Sequence, residues 1–201
     1  MASDFHSHSS KSAARTLVSG STPGSYTSFQ AHPWDAAQPL FPIGPAGFSA
    51  IGEIGLDKAK GPAFDLQKRR FEEMLLIAER EQKSVIIHCV RAWDELLEFR
   101  KRFPNRNWLI HGFRGSPELA EQLRKQGFFL SLGIPGIERL LTPDFSLEKI
   151  GFETDDSDTP IEEVLACAAK KMNLTVSEIE MITDRNFEDF LCLNVSSEPS
   201  C

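Results

Sequence analysis

Short apolar or β-branched runs recur along this chain, and most of them end in Gly, His or Asp: 4–8, 16–19, 26–31, 49–54, 84–89, 108–112, 128–133 and 149–154. From the fourth run onward, segments of helical period separate them. Segment 64–82 carries Phe71, Met74, Leu75 and Ala78 at i, i+3, i+4, i+7 spacing. Helices are also expected over 93–103 and 117–126, the latter with Ser116 as N-cap, Pro117 at its first position and Gly127 as C-cap. After the last run, 160–172 opens with an acidic first turn, and 177–191 carries Ser177 and Glu180 at the spacing of a capping box. Strands that alternate with helices imply parallel pairing and right-handed crossovers. Eight of them point to an α/β fold, a compact (β/α)8 TIM-type barrel, although 201 residues lie near the lower end for it. Between His8 and His32 there is no helix-length amphipathic pattern, so the first crossovers are expected to be trimmed to loops. An open α/β sheet is the alternative. The pattern fits one domain over 1–193, followed by a flexible C-terminal tail over 194–201.

Composition narrows the setting. With 41% hydrophobic and 25% charged residues the chain reads as globular and soluble. No apolar run approaches the roughly 18–20 residues that a membrane span needs. The opening MASDFHSHSS lacks the apolar centre of a signal peptide, so a cytoplasmic location is the default expectation. Cys89, Cys167, Cys192 and Cys201 show no paired spacing and read as free thiols rather than as disulfides or zinc ligands. The net charge of −7 argues against a broad groove for duplex nucleic acid, which leans on many Lys/Arg–phosphate contacts. It leaves room for an enzyme that grips one or two phosphates through metals.

The polar residues that end the runs form a pattern of their own. His6 and His8 lie two apart in the first run, and side chains at i and i+2 of a strand share a face. Glu53 sits in AIGEIGLD, His88 closes SVIIH, His111 closes NWLIH, and Asp155 follows KIGFET. In a barrel the carboxyl ends of the strands form one rim, and active sites there draw residues from several strands. For any one of these histidines, a hydrogen-bonded core group is the ordinary reading. Together the six make a nitrogen/oxygen ligand set suited to Zn, Mn, Fe, Ni or, with more water, Mg.

These residues also carry a resemblance. HSH, AHPW, AIGEIGLD, IIHC followed by RAWD, LIHGF, and ETD occur in this order in the TatD family of metal-dependent hydrolases, over nearly the whole chain. That family is similar in architecture to the amidohydrolases and is known for deoxyribonuclease activity. The resemblance implies two divalent metal ions (Zn, Mn, Mg, Ni or Fe), with His6, His8, Glu53 and Asp155 around one and Glu53, His88 and His111 around the other. It places His32, in the HP element, near the site and facing substrate. The chain departs from the family in a shorter N-terminal third, in Arg114 where Ser or Thr is more usual, and in ETDDSD, where Asp156 and Asp158 make the rim more acidic.

Two such metals would turn a water into a nucleophile near neutral pH, with Asp155 as the general base. Arg91 and Arg114 follow His88 and His111 by three residues, and guanidinium groups there suit phosphate. Arg91 could equally pair with Asp94, Asp156 or Asp158. Trp34 and Trp93 could stack on a base or simply pack. The basic run Lys68, Arg69, Arg70 reads as a solvated helix face turned away from the rim. The expected activity is hydrolysis of an ester bond, first as a phosphodiesterase or deoxyribonuclease on DNA ends or single-stranded DNA. Hydrolysis of a small ester, lactone or amide comes next, and non-catalytic metal binding third. Neither a membrane nor an obligate protein partner is expected.

Overall fold

The computed structural model of the chain describes residues 2–8, 15–20, 26–40 and 44–193. The strands are β1 (Ser3–Ser7), β2 (Arg15–Gly20), β3 (Thr27–Phe29), β4 (Ala50–Asp57), β5 (Ser84–Val90), β6 (Trp108–Ile110), β7 (Phe128–Leu132) and β8 (Ile150–Phe152), and they lie in this order in one sheet. Helices α1 (Phe64–Glu81), α2 (Trp93–Arg102), α3 (Pro117–Lys125) and α4 (Ile134–Leu140) connect the later strands, and α5 (Ile161–Met172) and α6 (Val176–Leu191) follow the last. This is the TIM-type (β/α)8 fold, and each of the eight expected runs is a strand. The described residues fall into two compact units, one within Met1–Val18 and Leu109–Ser196, the other within Ser19–Trp108.

Three local features depart from the sequence reading or lie outside it. Helix α4 was not expected, because Pro135 and Gly136 interrupt its pattern; Pro is tolerated in a first helical turn, where its missing N–H has no partner to lose. The capping box of α6 is built by Thr175 and Glu178 rather than Ser177 and Glu180: Thr175 Oγ1 accepts from Glu178 N at 3.2 Å, and Glu178 Oε2 accepts from Thr175 N at 2.7 Å. The loop after α5 leaves Thr175 extended (φ −77°, ψ 156°), which is the geometry of a cap, so the helix starts there. Segments 9–14 and 21–25, where trimmed crossovers were expected, and the tail over 194–201 lie outside the described residues. Between β3 and β4 the described residues hold a single 3-10 turn, Pro33–Asp35. As expected, Ser116 Oγ caps α3 by accepting from Leu119 N, and Gly127 follows that helix with φ 86°.

In the first unit, Phe5 of β1 is fully buried edge-on against Phe187 of α6, with ring centroids 5.2 Å apart. Gly151 of β8 makes the room, since a Cβ there would lie 2.4 Å from the Phe5 ring. In the second unit, β4 and β5 bury Ile51, Ile54, Leu56 and Val85 to Ile87, as strands covered on both faces do. Helix α1 covers them with Phe71, Met74, Leu75 and Ala78.

Two irregularities set up the site. Along β4, Ile51 pairs with Val85 and Ile54 with Ile87, so three steps on one strand match two on the other. The extra residue is a bulge at Gly52–Glu53, and bulges re-aim the side chains beside them. The same three-against-two mismatch occurs between β1 and β2, from Asp4↔Thr16 to Ser7↔Val18, around His6.

Candidate metal centre

In the second unit, Glu53 is 2% exposed, and its Oε1 lies 2.9 Å from His88 Nδ1 and 3.0 Å from His32 Nε2. Its main-chain oxygen accepts from Ala31 N at 3.1 Å, which ties the HP element to β4. The two imidazoles have different hydrogen-bond duties. His32 Nδ1 accepts from Trp34 N at 3.2 Å, so the neutral ring carries its proton on Nε2 and donates to Glu53. His88 faces a carboxylate with each nitrogen, Glu53 with Nδ1 and Asp57 with Nε2, the latter at 3.2 Å. A ring placed in this way needs either both protons or a cation beside it. One donor atom each from His32, Glu53 and His88 lies within 4.8 Å of the others. This donor set fits a divalent ion at Glu53 and His88, with His32 beside it.

In the first unit, the end of β1 and the segment after β8 are joined through the main chain. Asp155 N donates to His6 O at 3.0 Å, and His8 N donates to Asp155 O at 3.4 Å. Asp155 Oδ1 lies 3.6 Å from both His6 Nε2 and His8 Nε2. The His6 and His111 rings are 4.4 Å apart, and donors from His6, His111 and Asp155 lie within 4.8 Å of one another; His8, Asp155 and Asp156 form a second such group. Imidazoles grouped with a carboxylate at strand ends are again a donor set for a divalent ion. His6 is fully buried while His8 is exposed. Asp155 holds φ 51°, a left-handed conformation that Asp tolerates better than most residues.

Buried carboxylates brace this unit, and the sequence reading did not single them out. Asp4 accepts from Thr154 Oγ1 at 2.7 Å, Thr154 N at 3.2 Å and His6 N at 3.3 Å, which fastens the ETD segment to β1. Burial pushes its carboxyl up to about 6 in spite of these bonds. Glu153 accepts from Gly112 N at 2.6 Å and from Ser131 Oγ, and lies 3.9 Å from His111 Nδ1. Burial pushes Glu153 up to about 7, with His111 and Ser131 acting the other way. The signal was present: Glu153 and Asp57 also end apolar strands.

The Glu153 shift predicts a pH dependence. Between its ordinary value of 4.5 and about 7, the folded metal-free chain holds a proton that the unfolded chain has released. The stability this confers is complete below the lower value and is lost as pH rises through the upper one. Glu153→Gln is therefore expected to be more stable than the wild type at about pH 8, by no more than about 3 kcal/mol, and to flatten the profile between about pH 5 and 8. Urea unfolding of the metal-free proteins measures this, and a wild-type profile already flat over that range would contradict it.

Of the remaining sequence-expected residues, Arg91 and Arg114 are exposed, Arg91 with φ 56° just past β5. Trp34 is 44% exposed, but its indole N–H donates to Asp57 Oδ2 at 2.7 Å, and Lys60 Nζ lies 4.6 Å from its ring centre. Trp93 is half-buried at the start of α2. Arg70 departs from the expected solvated face. It donates to Gln38 O at 2.7 Å and, with His32, Gln30 and Asp35, lines a cavity of about 100 Å³. Among the described residues, no helix is long and apolar enough to cross a membrane.

Comparison with known proteins identifies relatives of the chain. A family model described as TatD related DNase matches residues 4–192. The Escherichia coli protein described as uncharacterized metal-dependent hydrolase YjjV is 37% identical over 91 residues, covering 44% of this chain and 35% of that protein. The human 3'-5' RNA nuclease TATDN2 is 34% identical over 119 residues, covering 53% of this chain and 16% of that protein. The aligned stretches thus span about a third or less of these two relatives. Among solved structures, a hydrolase TatD family protein from Entamoeba histolytica matches with a TM-score of 0.67 at 13% identity, covering 89% of this chain and 76% of that one. The crystal structure of YjjV matches with a TM-score of 0.64 at 23% identity, covering 82% and 75%. At these identities the structural matches speak for the fold.

Proposed function

This chain belongs to the TatD family of metal-dependent hydrolases, and we propose that it is a phosphodiesterase that removes nucleotides from DNA ends. The observation that carries the reading is the pair of nitrogen/oxygen donor groups, His32–Glu53–His88 and His6–His111–Asp155, the donor atoms of each lying within 4.8 Å of one another. We assign His6, His8, Glu53, His88, His111 and Asp155 as ligands of two divalent ions. Held by these residues, such ions would supply the positive charge that polarises a phosphoryl group and lowers the pKa of a water toward neutrality. The Asp155 carboxylate would accept the proton. His32, which donates through Nε2, steadies Glu53 and faces the substrate. The exposed guanidinium groups of Arg91 and Arg114 bind the phosphate in bidentate fashion. A net charge of −7 favours a strand end over a long duplex groove. The description of the family as DNases supports DNA as the substrate, and the description of the human relative as a 3'-5' RNA nuclease supports the broader class, a nucleic-acid end.

The test is hydrolysis of end-labelled single-stranded DNA by protein reconstituted with Mg, Mn or Zn, alongside RNA of the same sequence and small aryl esters. Stepwise loss of terminal deoxynucleotides is the expected result. Ester hydrolysis without nucleic-acid cleavage would move the substrate to a small ester, lactone or amide. RNA cleavage alone would move it to RNA.

A further inference from the structure

We propose that Asp57 is the positioning residue of His88, fixing the imidazole so that Nε2 carries the proton and Nδ1 keeps its lone pair toward Glu53. This deepens the metal-centre reading above and rests on it.

The side chain of Asp57 is 2% exposed, and each of its oxygens is anchored. Oδ1 accepts from Ala59 N at 2.7 Å and from Lys60 N at 3.0 Å. Oδ2 accepts from Trp34 Nε1 at 2.7 Å and lies 3.2 Å from His88 Nε2. The main chain of Asp57 is gripped in turn by Gln67 of α1. Gln67 Oε1 accepts from Asp57 N at 2.7 Å, and its amide N–H groups donate to Asp57 O, Lys60 O and Pro62 O, each at 3.0 Å. Gln67 is 1% exposed, so this clamp sits inside the protein rather than at its surface.

The consequence for His88 is chemical. An ionised carboxylate only accepts hydrogen bonds, so the nitrogen that faces Asp57 Oδ2 must be the one that bears hydrogen. In a neutral ring the other nitrogen, Nδ1, is then unprotonated, and it lies 2.9 Å from Glu53 Oε1. A ligating histidine whose far N–H is held by a carboxylate has its tautomer and its orientation set, and it becomes a better donor. The restraint runs from α1 through Gln67 to Asp57 and then to His88. His32 lies beside the same Glu53 oxygen with the opposite setting, because its Nδ1 is the acceptor.

An amide at position 57 reverses the instruction. If an Asn keeps its oxygen on the two loop N–H groups, its NH2 takes the place of Oδ2, gives up the bond from Trp34 Nε1 and donates to His88 Nε2, which drives the ring proton to Nδ1. Asp57→Asn is therefore expected to weaken zinc binding by about 10- to 100-fold. Chelator competition on the full chain measures the affinity, with circular dichroism of the metal-free variant confirming that it folds. Two-bond proton–nitrogen NMR spectra of the zinc-loaded wild type provide a second readout that needs no variant. They are expected to show a proton on His88 Nε2 and the metal-shifted signal on Nδ1. A proton on Nδ1 in the wild type, or zinc affinity in Asp57→Asn within about threefold of wild type, would overturn the role of Asp57 alone. A wild-type chain that binds no zinc, manganese or magnesium would instead overturn the metal-centre reading beneath it.

Discussion

Asp155→Asn is expected to lower metal-dependent hydrolysis by about 10²–10⁴-fold, the range typical for losing a positioned general base, while the chain stays folded. The separation of the two effects follows from the local structure. Asp155 is tied to β1 through its backbone, donating to His6 O at 3.0 Å and accepting from His8 N at 3.4 Å, and Asn keeps both bonds. Asn also tolerates the left-handed φ of 51° at least as well as Asp. What changes is Oδ1, the atom 3.6 Å from both His6 Nε2 and His8 Nε2. An amide at that point cannot take a proton from water, and it gives a cation a weaker donor. Single-turnover cleavage of end-labelled single-stranded DNA measures the first consequence, and metal content after dialysis measures the second. A variant that keeps its metal and cleaves within about tenfold of wild type would place the base on another residue.

The parts of this protein that could be read from its sequence are those whose signal is local. Parallel strands covered on both faces read as apolar runs, so β4, β5 and β7 stand out, and a polar residue that closes such a run marks the strand end. That is how His111 comes into view, whereas Glu53 and His88 sit inside strands that run on to Asp57 and Val90. What escaped depends on partners distant in sequence. Asp57 acquires its meaning from His88, 31 residues away, and Asp4 from Thr154, 150 residues away. The proton on His32 is set by a backbone N–H two residues on, which the HP dipeptide does not disclose. Helix α4 escaped because seven residues that include Pro and Gly carry too little periodic signal. The two spacings of TVSEIE, Thr175–Glu178 and Ser177–Glu180, are equivalent as capping boxes until the extended backbone at Thr175 decides between them.

The glycines of GEIG show how a motif can mark backbone approach rather than chemistry, and they carry the largest expected effect on stability. Gly55 holds φ 153°, a conformation open chiefly to glycine, and pairs with His88 across β4 and β5. A Cβ built there lies 1.9 Å from His88 O and 2.8 Å from His88 C. Both atoms are main chain inside a paired ladder, so relief requires the strands to part rather than a side chain to turn. Gly52, with its Cβ position 2.5 Å from Ile86 O, meets the same wall one bulge earlier. Gly55→Ala is thus expected to cost about 3 kcal/mol or more, since the overpacking and the backbone strain act together. Because the clash falls on the residue that presents a proposed metal ligand, zinc affinity should fall with stability. Gly44→Ala, where a Cβ meets nothing within 4 Å, serves as the control and should stay within about 0.5 kcal/mol of wild type. Urea midpoints and chelator competition on the three proteins decide the matter. Gly55→Ala with wild-type stability would mean that β4 and β5 do not approach this closely, and that the bulge aiming Glu53 is held by something other than the two glycines.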